Sequence, residues 1–294
     1  MNTAYVDGSV LCAGPVGAHR VAYREWGGWR DRTASDSSPP PVLVCVHGLT
    51  RNGLDFDTLG AALGGEFRVI CPDLPGRGSS DWLSDPSYYR LETYVTDMLE
   101  LLRQLGLQHV HWLGTSLGGL VGMLLASLPD SPVVRLVLND IGPRIERVAL
   151  QRIAGYVGQT RVFSDLHEAE RYVRLVSAPF GALSDADWQH LTQVVLRPRR
   201  EGGFEFNYDP AIAEAFRRVT AASDFDLWPF YRRIRCPTLV MRGELSDLLS
   251  RESAAEMAAC GPHARVVEIA GVGHAPMFLD PAQIALVRGF FQAR

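Results

Sequence analysis

The run Val110-His111-Trp112-Leu113-Gly114-Thr115-Ser116-Leu117-Gly118-Gly119 constrains this chain more than any other stretch. An apolar, strand-like segment breaks at Gly114, and the sequence after Ser116 reads as a helix buried on most of its surface. Gly-x-Ser-x-Gly thus falls between a strand and a helix, the context of a nucleophile elbow. There a serine rides a tight turn, and small residues two before and two after it let the backbone pass. The motif predicts that Ser116 projects its hydroxyl from the top of a sheet. A glycine-rich strand-to-helix turn with an incidental serine is the alternative.

The flanking sequence supplies such a sheet. Val42-Leu43-Val44-Cys45-Val46 is a continuous apolar run, as expected of a strand buried on both faces, and it ends in His47-Gly48-Leu49. Phe67 to Cys71, Val133 to Leu138, Thr238 to Met241 and Arg265 to Ile269 are further strands. Helical patterns at Leu59 to Leu63, Leu91 to Leu105, Glu252 to Ala259 and Ala282 to Gln292 alternate with them. That alternation is the signature of an α/β, mostly parallel, doubly wound sheet. Val10 to Cys12 and Ala18 to Arg24 form an antiparallel pair around Gly14-Pro15, and Asp31 to Pro41 is a polar surface loop.

The rhythm stops at Ile141-Gly142-Pro143. Helical patterns at Arg144 to Val157, Asp165 to Ser177, Ser184 to Val195 and Pro210 to Val219, with a hairpin at Glu201-Gly202-Gly203, fill the chain to Trp228. The expected organisation is a core of residues 1–143 and 229–294 with a helical cap, 144–228, inserted between two late strands. The cap carries Phe163, Phe180, Trp188, Phe204, Phe206, Tyr208, Phe216 and Phe225. Most of these form its own core; over a nucleophile they would also make an apolar pocket for the acyl or alcohol part of a substrate.

Composition closes several routes. The 294 residues carry a net charge of −4 with 21% charged residues, which leaves no polyanion-binding signature and no nucleic-acid partner. No basic leader precedes an apolar run and no stretch of eighteen apolar residues occurs, so a soluble, cytoplasmic protein without membrane partners is expected. The five cysteines are scattered with no C-x-x-C pair, and the chain has no lysine, which excludes Schiff-base chemistry. His109-x-His111 offers two imidazoles without a third ligand, and Gly76-x-Gly78 lacks the rest of a phosphate-binding pattern, so no metal or cofactor site follows.

A serine hydroxyl needs a base to remove its proton and a carboxylate to orient that base. His274, in Gly273-His274-Ala275-Pro276 after the last strand, is placed to serve as the base. Asp140, ending one strand, and Asp247, past the next, both satisfy the chain order serine, acid, histidine; order does not choose between them.

Taken with His47-Gly48-Leu49, Asp73-Leu74-Pro75-Gly76-Arg77-Gly78-Ser79, Asp140-Ile141-Gly142-Pro143 and Gly243-x-x-Ser246-Asp247, these motifs resemble the α/β-hydrolase superfamily, specifically its serine esterase-like members with a helical cap. The resemblance spans nearly the whole chain. It implies Ser116 as nucleophile, His274 as base and Asp247 as acid, with Asp140 at a position more often structural and Glu244 a third choice. It also assigns the oxyanion hole to the backbone N–H groups of Leu49 and Leu117. The activity it implies is hydrolysis of carboxylic esters through an acyl-enzyme, without metal or organic cofactor. Lactone or carbon–carbon bond hydrolysis, or a receptor with little turnover, would use the same scaffold. Serine rather than aspartate at position 116 argues against epoxide and haloalkane chemistry. Arg51, beyond the oxyanion loop, is read as a solvated arginine, with an anionic substrate group the alternative partner.

Overall fold

The computed structural model describes residues 4–15, 17–27, 39–145, 147–221 and 226–293, the side chains of 219–221 excepted. Part of the loop expected at Asp31 to Pro41, and Phe225, lie outside these residues. Strands β1 (Tyr5–Gly14), β2 (Gly17–Trp26), β3 (Val42–Val46), β4 (Arg68–Pro72), β5 (Val110–Thr115), β6 (Val133–Asn139), β10 (Thr238–Gly243) and β11 (Arg265–Ile269) form one sheet in the order β1-β2-β4-β3-β5-β6-β10-β11. The β1–β2 and β2–β4 pairs are antiparallel and all the others parallel.

Alternation along the central strands explains the two layers of helices. Val44, Val46, Trp112, Leu136, Leu138 and Val240 point to one face, where α2 (Leu91–Gln104), α3 (Leu117–Ala126) and α9 (Arg251–Ala259) pack on them. Leu43, Cys45, Leu113, Val137, Leu239 and Met241 point to the other, against α1 (Asp57–Leu63) and α10 (Pro281–Gln292). Side chains of period two buried on both faces read as unbroken apolar runs. His111 belongs to this packing: its ring lies 5.1 Å from that of Phe291 and 6.0 Å from that of Phe67, while His109 is exposed and precedes β5. The two imidazoles therefore do not share a strand face.

Between β6 and β10 the chain leaves the large sheet. It forms α4 (Arg147–Ala154), β7 (Val162–Phe163), α5 (Leu166–Val176), α6 (Asp185–Val195), β8 (Leu196–Pro198), β9 (Phe204–Phe206), α7 (Ile212–Ala221) and α8 (Trp228–Tyr231). The three short strands make a separate antiparallel sheet, β7-β9-β8, where the sequence predicts a single hairpin. Phe163, Val173, Trp188, Leu191 and Val195 form a core of their own, closed from below by Met277. The segment is sewn to the strand tips: Asn52 Nδ2 donates to the Val194 carbonyl at 2.6 Å, Gly273 N–H to Pro179 at 2.6 Å and Asp209 N–H to Gly76 at 2.7 Å. No helix among the described residues is long and apolar enough to cross a membrane.

Candidate active site

In a doubly wound sheet the crevice opens where the winding direction reverses, beyond the carboxyl ends of the strands. Here that point lies between β3 and β5, since β4 flanks β3 on one side and β5 on the other. The tips of these two strands carry His47-Gly48-Leu49 and Ser116.

Ser116 sits at φ 52°, ψ −115°, a conformation unusual for a residue with a side chain, held by its N–H donating to Asn139 O at 3.1 Å. The turn closes so tightly that a Cβ on Gly118 would lie 2.0 Å from the Val46 carbonyl oxygen, and one on Gly114 would lie 2.2 Å from that of Gly118. Both positions therefore require glycine, which is why the flanking pattern was readable.

His274 Nε2 lies 3.0 Å from Ser116 Oγ, and its Nδ1 lies 2.8 Å from Asp140 Oδ2. A carboxylate only accepts, so the ring proton sits on Nδ1 and the Nε2 lone pair faces the hydroxyl. Asp140 is fully buried. Its Oδ1 accepts from Gly243 N–H at 2.8 Å, and its Oδ2 also accepts from the Ser246 hydroxyl at 2.7 Å.

The acid assignment is thus corrected: Asp140, not Asp247, meets His274. β6 is the immediate neighbour of β5, so the residue that ends it emerges beside the elbow. Asp247, four residues beyond the end of β10, turns the other way and pairs with Arg152, whose Nε and Nη2 donate at 2.6 and 2.8 Å. Burial pushes the Asp247 carboxyl up, and the Arg152 guanidinium outweighs this to leave it below the ordinary carboxylate range. Gly243 and Ser246, in the motif that pointed to Asp247, instead hold Asp140 in place. Glu244 accepts from Gly271 N–H at 2.8 Å.

The loop carrying Leu49 is pinned from two sides. His47 Nδ1 lies 2.7 Å from the Gly48 carbonyl and its Nε2 accepts from Leu74 N–H at 3.0 Å, which fixes the proton on Nδ1. With the Gly48 carbonyl turned toward this ring, the N–H of the same planar peptide, that of Leu49, faces the opposite way. Buried Arg77 donates from Nε to the Leu49 carbonyl at 2.8 Å and from Nη1 to Pro75 O and Tyr94 Oη, both at 2.7 Å. A Cβ placed on Gly48 would lie 3.6 Å from Ser116 Cβ, so this loop borders Ser116. Leu117 opens α3, and its N–H precedes the helix's own hydrogen-bond ladder. Neither His47 nor Arg77 has a role legible in its motif; the fold shows what each holds. The Gly76–Gly78 turn wraps Asp73, whose carboxylate accepts from Gly53 and Ser79 N–H.

Burial holds the His47 imidazole at a pKa of about 3, well below the usual range, because the protonated form cannot be hydrated there. The unfolded chain therefore takes up a proton near pH 6.5 that the folded chain refuses, and His47 withdraws stability as pH falls below 6.5. Its share between pH 7.5 and 5 is about 2 kcal/mol. Asp73 acts in the opposite sense: burial raises its pKa to about 6, so it gains stability as pH falls from about 6 toward 4. His47→Asn should flatten the decline in urea midpoint between pH 7.5 and 5, or reverse it, even though the variant is less stable overall. An unchanged slope would show that this imidazole is protonated in the native state.

A cleft opens above Ser116 and His274. Leu49, Ile153, Tyr156, Tyr172, Val176, Phe180, Val195, Phe206, Tyr208 and Met277 are among its lining residues, with Arg51, Asp55 and Arg152 as the charged members. Arg51 is not a solvated arginine: Asp55 grips it at 2.5 to 3.1 Å. Of the aromatic residues singled out from sequence, Phe180, Phe206 and Tyr208 reach the cleft, whereas Phe163 and Trp188 serve the inner core. Chemically, the arrangement sets a serine hydroxyl against an imidazole lone pair beneath an apolar, aromatic roof.

Comparison with known proteins is consistent with this geometry. Residues 41–281 match the family model for the alpha/beta hydrolase fold. The chain is 47% identical over 291 residues to a 3-hydroxybutyrate-oligomer hydrolase of Cupriavidus necator, covering 97% of each protein. It is 28% identical to an esterase of Mycobacterium tuberculosis over 99% of this chain and 93% of that one. A crystallised alpha/beta hydrolase of Novosphingobium aromaticivorans superposes with a TM-score of 0.87 at 36% identity, covering 99% of both chains.

Proposed function

The chain belongs to the alpha/beta hydrolase fold family, and on that premise we propose that it is a serine hydrolase of carboxylic esters, with Ser116, His274 and Asp140 as its triad. The observation that carries the reading is the position of His274, hydrogen-bonded to Ser116 Oγ through one ring nitrogen and to Asp140 through the other. Ser116 Oγ attacks the ester carbonyl as its proton passes to His274 Nε2, and Asp140 stabilises the imidazolium. The oxyanion is held by the N–H groups of Leu49 and Leu117. Collapse expels the alcohol, which takes the proton from His274, and water then hydrolyses the acyl-enzyme by the same steps. Neither metal nor organic cofactor enters this scheme.

The substrate class we propose is short oligoesters of hydroxy acids, as in the name of the Cupriavidus relative. The cleft suits them, with an apolar, aromatic lining for methyl-bearing units. Residues 144–228 act as the cap that supplies this roof and sets acyl preference. Two measurements test the reading. A fluorophosphonate should form a single adduct that maps to Ser116, and the protein should hydrolyse 3-hydroxybutyrate trimer to shorter acids. An adduct on another serine, or a folded protein inert toward both the trimer and p-nitrophenyl esters, would refute it.

A further inference from the structure

We propose that Arg152 is the docking point for a free carboxylate on the substrate, which makes the enzyme selective for anionic oligoesters over neutral ones; this rests on the ester hydrolase reading above. The cleft is lined mainly by apolar and aromatic side chains with a few hydroxyls, and of its three charged side chains, Arg51, Asp55 and Arg152, the first two pair with each other in its wall. The side chains of Arg51 and Asp55 are only 13% and 7% exposed, and both members of this pair line the cleft, so their charges cancel there.

Arg152 differs in both exposure and placement. Its side chain is 34% exposed and lines the cleft, whereas its partner Asp247 does not line it and grips the guanidinium from outside. Asp247 takes Nε and Nη2, and Tyr156, four residues on, also lines the cleft. A guanidinium has five N–H donors, so donors remain for a ligand. The bidentate grip orients the planar fork before a ligand arrives, which lowers the entropy lost on binding. A half-exposed ion pair is weak enough to accept a second carboxylate without first breaking. To a neutral ester an arginine here offers no more than a hydrogen bond to a carbonyl oxygen, whereas a hydroxy-acid oligomer ends in one carboxylate that it would meet with charge and two parallel donors.

The test compares kcat/KM for 3-hydroxybutyrate trimer as the free acid and as its neutral terminal methylamide, in wild type, Arg152→Gln and Arg152→Lys. Wild type should prefer the acid. Arg152→Gln should lose roughly tenfold or more on the acid, chiefly through KM, the scale of one charge-assisted hydrogen bond. On the amide it should stay within about twofold, and Arg152→Lys should recover part of the loss. Equal effects of Arg152→Gln on both substrates, or no effect on either, would overturn the proposal while leaving the hydrolase reading intact. A wild type inert to both and to p-nitrophenyl butyrate would remove that reading, and this proposal with it.

Discussion

Ser116→Ala should lower kcat by about a millionfold, because the triad acts as a unit and its nucleophile has no substitute. The residual rate should still exceed that in water, since the two N–H groups and the cleft remain to bind the transition state. Folding should be little affected. Ser116 Oγ contributes one hydrogen bond, to His274, and the strained turn is held by backbone contacts such as Ser116 N–H to Asn139 O. Turnover of a p-nitrophenyl ester beside a thermal melt checks both halves. Full activity in a folded alanine variant would move the nucleophile elsewhere and end the serine hydrolase reading. A variant that lost activity by unfolding would leave the unmodified protein's fluorophosphonate adduct to decide.

Features encoded locally were legible in the sequence. The elbow could be read because tight packing against Val46 and Gly118 demands glycine at fixed offsets from Ser116. The central strands could be read because burial on both faces erases polar residues, as in Val42–Val46. Elements too short to show a period were missed: α8 spans four residues, Trp228–Tyr231, and β7 only two. The acid was misread for a different reason. Two aspartates stood at strand ends in the correct order, and the choice depends on which carboxylate finds donors in the interior. Gly243 N–H and the Ser246 hydroxyl turn toward Asp140, while an arginine 95 residues before Asp247 captures that side chain. No spacing rule contains that capture. Nothing in the sequence marks Arg152 within its helical pattern; its bearing on the cleft follows from where α4 lies in the fold.

Asp140→Asn is expected to cut kcat about ten-thousandfold, and Asp247→Asn to change it less than tenfold. The difference follows from what each carboxylate touches. Asp140 Oδ2 accepts from both His274 Nδ1–H and the Ser246 hydroxyl, and Oδ1 from Gly243 N–H. An asparagine must turn its NH2 toward one of these donors. If that donor is His274, the ring shifts its proton to Nε2 and offers Ser116 a donor where a base is needed. Asp247→Asn removes only the charge of a half-exposed pair with Arg152, which contributes about 1 kcal/mol or less, and it leaves the His274 tautomer alone. Steady-state kcat on a neutral p-nitrophenyl ester, corrected for the folded fraction, separates the two variants without involving Arg152 as a carboxylate site. The reverse ranking, with Asp247→Asn inactive and Asp140→Asn near wild type, would return the acid's role to Asp247. It would also require the loop after β10 to swing from Arg152 to His274 during turnover.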